Sequence, residues 1–184
     1  MDRDNHTDEE IKKFYNLKNI AVVGMSKNEE KPSHYVPKYL VQNGYNVIPV
    51  NPTTEEILER KSYKLVSEIK EDVDIVDVFR KSDDIIPIVD DLLKKKGIKL
   101  IWLQKGIFNQ RAEELAKKNG IDFVYNRCML EEHKRLFSEG CWMLNACWLH
   151  NDCKNIFYVN IVACASFQSY PFNYIYILMI NSQF

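Results

Sequence analysis

The segment from Ile20 to Asn51 constrains the fold more than any other part of the chain. A short apolar run, Ile20–Val23, leads into a polar loop that begins at Gly24, then into a helical pattern and a second apolar run, Val47–Val50. This succession predicts a β-α-β unit. In an open parallel sheet, the first turn of such a unit is where nucleotide phosphates bind.

The loop after Gly24 departs from the usual dinucleotide-binding sequence. It has no further glycine before the helix, so the G-x-G-x-x-G pattern is missing. It carries instead Ser26, Lys27, Lys31 and Ser33. Hydroxyl and ammonium groups at these spacings favour a phosphate-rich nucleotide over an ordinary nicotinamide cofactor.

Size and charge exclude several classes of protein. The chain has 184 residues, which predicts one domain of ordinary size. Its 25 Lys and Arg residues against 26 Asp and Glu residues give a net charge of −1, so no overall field attracts nucleic acid. The charged start, Met1–Lys13, predicts no signal peptide. Residues 1–139 contain a single cysteine, Cys128, which fits a reducing cytosol and predicts a cytoplasmic protein.

Composition changes sharply near Ser138, which predicts a domain over residues 1–139 and a tail over residues 140–184. Asp152 and Lys154 are the only charged side chains of the tail. Three interpretations stay open: an aberrant C-terminus unrelated to the function, a hydrophobic extension that packs on the domain or a partner, and a membrane anchor. Polar residues interrupt Asn155–Phe184, which disfavours the anchor. Exposed aromatic side chains in the tail would promote a homo-oligomer.

The tail cysteines do not predict a metal site. Cys141, Cys147 and Cys153 have five residues between neighbours, with His150 close by. Zinc sites usually begin with two to four residues between the first two cysteines.

Strands and helices alternate through the rest of the domain. The predicted elements are a helix at Thr53–Glu59, a very short strand at Ser62–Val66, a strand at Val73–Phe79, a helix from Ser82 to Lys96, a strand at Lys99–Leu103, a helix at Gln110–Asn119 capped by Asn109, a strand at Ile121–Tyr125 and a helix at Met129–Phe137. This alternation predicts an α/β fold, a Rossmann-like, doubly wound parallel sheet between two helical layers. The first strand is expected to be central, in the order 3-2-1-4-5 extended by the last strand.

The carboxyl ends of these strands carry an unusual number of basic residues. Ligands of open α/β sheets bind beyond these ends. Four of the five ends hold Lys or Arg, namely Lys27, Lys31, Arg80, Lys81, Lys105 and Arg127. The set predicts a local phosphate site, although solvated loop residues remain the alternative for each member.

Several motifs in order resemble the small stand-alone CoA-binding domain proteins. They are IAVVG at Ile20–Gly24, a basic residue then Pro-Ser at Lys31–Ser33, YL at Tyr39–Leu40, GYNVIPVNP at Gly44–Pro52, VDIVDVFR at Val73–Arg80, WLQKG at Trp102–Gly106 and NRCMLEEH at Asn126–His133. The resemblance covers roughly residues 11–136. This family is similar to the nucleotide-binding domain of the succinyl-CoA synthetase α-subunit.

The resemblance implies a Rossmann-like fold with coenzyme A (CoA) as the ligand. The loop from Gly24 to Ser33 would hold the phosphates, with Ser26 and the amides at the helix start as donors and Lys31 as counter-charge. The residues implied to bind the cofactor are Gly24, Met25, Ser26, Lys31, Ser33, Asn51, Val78, Phe79, Arg80, Gln104, Lys105 and Gly106.

The sequence departs from the family pattern at a few positions. Lys31 stands where the family often has Arg, which keeps the charge but loses a bidentate contact. Pro37 is tolerable only if it falls in the first turn of its helix. Lys105 adds a charge at a position that the resemblance suggests is variable. The tail has no counterpart in the family.

A complete CoA ligase is not expected, because those enzymes use a phosphorylated histidine in a second domain. The four histidines here fall in no catalytic motif: His6 in a flexible start, His34 beside the loop, His133 at a polar helix position and His150 in the tail. The leading hypothesis is a non-catalytic CoA-binding or regulatory module that binds CoA or an acyl-CoA.

Two alternatives remain. The first is an NAD(P)-binding Rossmann protein with a redox or sensing role, but Asn51 replaces the usual acidic residue after the second strand. The second is a mixed disulfide between Cys128 and CoA, for which the adjacent Arg127 would favour the thiolate.

Overall fold

The architecture is a five-stranded parallel sheet between helices. A computed structural model describes residues 4–137 of the chain. The strands are β1 (Asn19–Val23), β2 (Asn46–Val50), β3 (Glu56–Ile57), β4 (Arg60–Lys61), β5 (Ile75–Val78), β6 (Leu100–Leu103) and β7 (Asp122–Val124). The helices are α1 (Asp8–Phe14), α2 (Pro32–Gln42), α3 (Ile85–Leu92), α4 (Gln110–Lys118) and α5 (Met129–Phe137). The predicted tail, residues 140–184, lies outside the described residues.

The order of the large sheet is β2-β1-β5-β6-β7, with every neighbouring pair parallel. The two faces of its strands bury separate apolar layers. Val76 and Val78 face the layer that contains α3 and α4, whereas Ile75 faces the layer that contains α1, α2 and α5. Burial on both faces is what produces near-continuous apolar strands. The predicted Rossmann-like α/β class is confirmed.

The predicted third strand, Ser62–Val66, is reduced to a single parallel bridge between Tyr63 and Val50. Tyr63 therefore lies at the outer edge of β2, on the side where the third strand was expected. The chain then turns into a 3-10 turn, Val66–Glu68, because the carboxylate of Asp91 accepts the N–H of Val66 at 2.8 Å. β1 is therefore an interior strand between β2 and β5, while β5 is the middle strand of the five.

The helix predicted at Thr53–Glu59 is wrong, because the segment forms the hairpin of β3 and β4. Its two-residue loop has Leu58 at φ +53° and Glu59 at φ +57°, as a type I′ turn requires. Ile57 is 2% exposed and packs into the layer of α1, α2 and α5. A tertiary contact of one apolar side chain thus overrides the local helical pattern.

Other element boundaries agree closely with the sequence. The side chain of Asn109 caps α4 by accepting the N–H of Ala112 at 3.1 Å, and α5 spans Met129–Phe137 as predicted. The helix predicted from Ser82 to Lys96 is shorter, since a 3-10 turn precedes α3 and the helix ends at Leu92. Within residues 4–137, no helix is both long and apolar enough to span a membrane.

The N-terminal segment is held to the domain by a buried ion pair. Arg127 is 5% exposed, and its guanidinium donates to the carboxylate of Asp4 at 2.9 to 3.2 Å and to the carbonyl of His6 at 2.9 Å. It also faces Glu132 at 3.4 Å. His6 donates its backbone N–H to Asp4 at 3.0 Å and packs its ring against Phe14. The expectations of a flexible start at His6 and of Arg127 in the basic rim are both wrong.

Asp4 is ionised in its ion pair with Arg127. Burial by itself would raise the pKa of Asp4, but hydrogen bonds from His6 and Arg127 outweigh burial and lower the pKa to about 2. A carboxyl whose pKa is lowered on folding stabilises the fold above its ordinary value of 3.8, and this contribution is lost as the pH falls toward 2.

We expect Asp4→Asn to lower the free energy of unfolding at neutral pH by about 2 kcal/mol, because Arg127 then lacks its main counter-charge. The difference from the wild type should shrink between about pH 5 and pH 2. Urea denaturation across this pH range measures it. Asp8→Asn is the matched control, since Asp8 pairs with Arg135 at the surface. Equal losses in the two variants would contradict a special role for the buried pair.

Candidate functional site

The loop after β1 begins at a position that requires glycine. Gly24 has φ +83°, and a Cβ there would lie 2.9 Å from the carbonyl oxygen of Phe79 and 3.3 Å from the side chain of Arg80. Its N–H donates to the carbonyl of Val50 at 2.9 Å. Gly24 therefore lets the first loop pass close to the ends of both neighbouring strands.

A proline inside α2 ties this loop to the helix. Pro37 is the sixth residue of the helix and lies beyond its first turn, contrary to expectation. Since proline has no N–H, the carbonyl of Ser33 one turn earlier has no helical donor. It accepts instead the N–H of Ser26 at 3.1 Å. The imidazole Nδ1 of His34 adds a second contact, 2.8 Å from the carbonyl of Ser26.

The start of α2 exposes a backbone donor toward an open cavity. Lys31 is the N-cap residue and its side chain makes no capping hydrogen bond, while Pro32 occupies the first helical position. Ser33 is the second residue of the helix and lies within its first turn. Its N–H donates to no other group among the described residues. Such first-turn N–H groups bind anions.

The cavity in front of this helix start has a volume of about 740 Å³. The ends of β5 and β6 form its other walls, and Cys128 and Glu131 close the side next to α5. Seven of the predicted site residues line it: Lys31, Ser33, Phe79, Arg80, Gln104, Lys105 and Gly106. We call it the large cavity.

A second cavity of about 370 Å³ lies between the ends of β1 and β2 and helix α3. Its walls are largely apolar, with Val50, Pro52 and Leu65 among them, and Lys64 lies at its side. Gly24 and Arg80 also line it, so Arg80 contacts both cavities. We call it the small cavity.

The remaining predicted residues line neither cavity. Met25 and Val78 are fully buried in the two apolar layers. Ser26 accepts the N–H of Asn28 at its hydroxyl oxygen. Asn51 donates its side-chain amide to the carbonyl of Met25 at 2.7 Å and accepts the N–H of Thr53 at 2.8 Å. Asn51 thus braces the first loop against the end of β2.

Positive charge is concentrated at the large cavity. Among residues 4–137, Lys31 and Arg80 have no carboxylate partner, and Lys81 also lines the wall. Lys105 forms an ion pair with Glu131, which offsets part of its charge. The predicted member Lys27 lies elsewhere, in a depression shared with His34 and the β3–β4 hairpin.

A buried carboxyl group lies beneath the large cavity. Asp77 is fully buried in β5, and its Oδ1 accepts the side-chain amide of Gln104 at 2.7 Å. Its Oδ2 has no hydrogen-bond partner within the described structure. Burial raises the pKa of Asp77 to about 7, even though the Gln104 hydrogen bond opposes the shift. Sequence analysis missed this residue, although a carboxylate inside a continuous apolar strand was the available signal.

Cys128 lines the large cavity but is not activated by its neighbours. Burial raises the pKa of its thiol, and the nearby charge of Asp77 adds to the effect. The expected help from Arg127 is wrong, because that guanidinium is occupied by Asp4 and Glu132. A mixed disulfide at Cys128 therefore has less electrostatic support than the sequence suggested.

The described histidines lie away from both cavities. The Nε2 of His34 is buried and has no hydrogen-bond partner among residues 4–137. His133 packs among aromatic rings near α1 and lies 2.9 Å from the hydroxyl of Tyr39, and burial lowers its pKa. His133 thus lies in α5, as expected of a polar helix position, and also belongs to a cluster of aromatic rings. His150 lies outside the described residues.

A parallel α/β sheet with helices on both faces, and with a basic helix start and two cavities at its carboxyl edge, is a Rossmann-like architecture. Residues 18–134 match the family model described as "CoA binding domain". The chain belongs to this family, which confirms the resemblance seen in its motifs.

Individual relatives agree with this assignment. The chain is 35% identical over 116 residues to an uncharacterized protein of Bacillus subtilis, YneT; the match covers 63% of this chain and 85% of that protein. It is 30% identical to an ADP-forming acetate–CoA ligase of Archaeoglobus fulgidus over 65% of this chain, but spans only 19% of the ligase. A hypothetical protein from Pyrococcus horikoshii shares the fold with a TM-score of 0.69 and 41% identity, over 72% of this chain and 93% of that one.

We expect Asp77→Asn to stabilise the protein most strongly at high pH. A carboxyl whose pKa is raised on folding contributes its full stability below the ordinary value of 3.8, and this is lost as the pH rises through about 7. The gain from the substitution should therefore grow from pH 5 to pH 8, to roughly 2–4 kcal/mol. Denaturation of both proteins at several pH values measures it. Asp90→Asn, at an exposed position of α3, is the control and should give a flat difference. A flat difference for Asp77→Asn as well would contradict the buried-charge assignment.

Proposed function

We propose that this chain binds CoA or an acyl-CoA through the loop after β1 and the two adjoining cavities, as a non-catalytic binding or regulatory module. The observation that carries the proposal is the meeting of Lys31, the N–H of Ser33 and Arg80 at one cavity. Membership of the CoA-binding family supports CoA as the anion.

The pyrophosphate of CoA would bind at the start of α2. A helix N-terminus favours negative charge, and Lys31 and Ser33 at this helix start both line the large cavity. Arg80, between the two cavities, would contact the phosphates from the opposite wall. Its planar guanidinium can form two parallel hydrogen bonds to phosphate oxygens.

The two ends of the ligand would occupy different cavities. The small cavity has the apolar walls that suit a flat adenine ring, with Lys64 beside it for the 3′-phosphate. The large cavity, with Gln104 and Cys128 in its walls, would take the pantetheine arm. Both volumes lie in the range of small-molecule sites, and together they fit a ligand with a nucleotide at one end and a flexible arm at the other.

Catalysis is not part of the proposal. The ligase relatives are several times longer than the region that matches this chain, which spans 19% of the ligase from Archaeoglobus fulgidus. The sequence alternative, a nicotinamide nucleotide, gains no support from the described residues. Asn51 follows β2 in place of a ribose-binding carboxylate, and its amide is already bonded to Met25 and Thr53.

Calorimetry on the full-length protein tests the proposal. We expect the wild type to bind CoA and dephospho-CoA, with affinity that falls as salt is added, and not to bind NAD or NADP. Lys31→Ala should weaken CoA and dephospho-CoA alike, by about tenfold, because the pyrophosphate is common to both. Lys64→Ala should weaken CoA about fivefold and leave dephospho-CoA nearly unchanged.

The control is Lys38→Ala, which removes a cation of α2 that pairs with Glu29 at 3.8 Å and lines neither cavity. It should leave both affinities unchanged. Binding of NADP without CoA would overturn the proposed function. If Lys31→Ala loses more affinity for CoA than for dephospho-CoA, the residue that contacts the 3′-phosphate is Lys31 and not Lys64.

A further inference from the structure

The buried position of Asp77 costs the fold stability. Asp77 lies between Val22 of β1 and Trp102 of β6 in the sheet register, and all three are fully buried. A carboxylate among such neighbours loses its hydration, and here only one of its two oxygens has a hydrogen-bond partner. Replacing a group of this kind with a neutral residue of similar shape is expected to stabilise a fold. Its presence therefore calls for a role other than stability.

The partner of Asp77 lies in the wall of the proposed ligand site. Gln104 is 6% exposed and lines the large cavity. Its Nε2 donates to the Oδ1 of Asp77 at 2.7 Å. Within residues 4–137, no group donates to the Oε1 of Gln104, and this oxygen is not among the atoms sealed from solvent without a partner. Because Gln104 lines the cavity and its Nε2 is engaged by Asp77, its Oε1 is the acceptor that remains available to a ligand there.

Above its pKa of about 7, the carboxylate of Asp77 is ionised and determines this orientation. It can only accept hydrogen bonds, so it must meet the NH₂ end of the Gln104 amide and not its oxygen. Asparagine or a protonated aspartic acid could instead donate to the oxygen of Gln104, and either would let the amide turn over. An unpaired acceptor in a half-enclosed cavity, held by a buried anion, is a specific site for a ligand N–H group.

We infer that Asp77 and Gln104 form a subsite for an amide N–H of the ligand's pantetheine arm, with Gln104 as the contacting residue and Asp77 as the residue that orients it. The inference rests on the proposed function and extends it to the recognition of the arm. The arm of CoA carries two secondary amides, whereas adenosine 3′,5′-bisphosphate has the nucleotide end alone. The subsite therefore distinguishes ligands that have an amide-containing arm from nucleotides that lack one.

A double-mutant cycle at pH 8 tests the subsite in the full-length protein. Calorimetry with CoA and with adenosine 3′,5′-bisphosphate is carried out on the wild type, Asp77→Asn, Gln104→Met and the double variant. Gln104→Met should weaken CoA about tenfold, and Asp77→Asn about threefold to fivefold. The double variant should match Gln104→Met, because Asp77 acts through Gln104. The bisphosphate should bind all four proteins within about twofold.

Gln110→Met is the matched control, since Gln110 is exposed at the start of α4 and bonds only to Glu114 among the described residues. The affinity of the Gln110→Met variant for CoA should equal that of the wild type. Denaturation curves of the same proteins separate binding from folding, and Asp77→Asn should be more stable than the wild type while it binds CoA less tightly.

Other outcomes have distinct meanings. If the losses of the single variants add fully in the double variant, Asp77 does not act through Gln104 and the inference is overturned. Equal losses for CoA and for the bisphosphate also overturn it, because the arm is then not what Gln104 contacts. A wild-type protein that binds neither ligand refutes the proposed function itself, and the subsite with it.

Discussion

β1 forms parallel ladders with β2 on one side and with β5 on the other. Because parallel strands end at the same edge of a sheet, these two pairings bring three loops together that are far apart in sequence. Gly24 permits the closest approach, since its N–H donates to the carbonyl of Val50 and a Cβ at this position would collide with Phe79 and crowd Arg80. Without this register, neither cavity would have its present walls.

The loop after β1 is ordered by contacts that do not involve the glycine-rich pattern of dinucleotide-binding proteins. Pro37 removes one helical hydrogen bond of α2, and the carbonyl that it leaves at Ser33 accepts the N–H of Ser26. His34 and Asn51 hold the same loop from two further sides. A residue that weakens a helix locally thus helps to hold the loop beside the proposed anion site. Lys31 and Arg80 line the cavity next to this loop.

The carboxyl edge of the sheet contains one carboxylate that stabilises the fold and one whose burial costs stability. The ion pair of Asp4 and Arg127 is fully engaged and anchors the N-terminal segment. Asp77 is engaged through one oxygen only and lies beneath an open cavity. Strained or under-satisfied groups of this kind concentrate at functional sites, where stability is given up for a fixed chemical arrangement. The contrast between the two carboxylates separates the structural part of this edge from the part next to the proposed ligand site.

The sequence by itself determined the fold class, the parallel sheet and most element boundaries, because apolar periodicity, caps such as Asn109 and glycine stops are local signals. Its motifs also indicated the CoA-binding family, and seven of the twelve predicted site residues line the large cavity. Only the tertiary structure decided the hairpin of β3 and β4, since the burial of Ile57 comes from contacts distant in sequence. The same holds for Arg127, which forms an ion pair with Asp4, and for Asp77, which accepts a hydrogen bond from Gln104 just after the neighbouring strand. Pairing between residues far apart in the chain leaves no local pattern. For that reason the hairpin, the ion pair of Arg127 and the hydrogen bond from Gln104 to Asp77 could not be predicted, although the position of Asp77 inside an apolar strand was a visible signal.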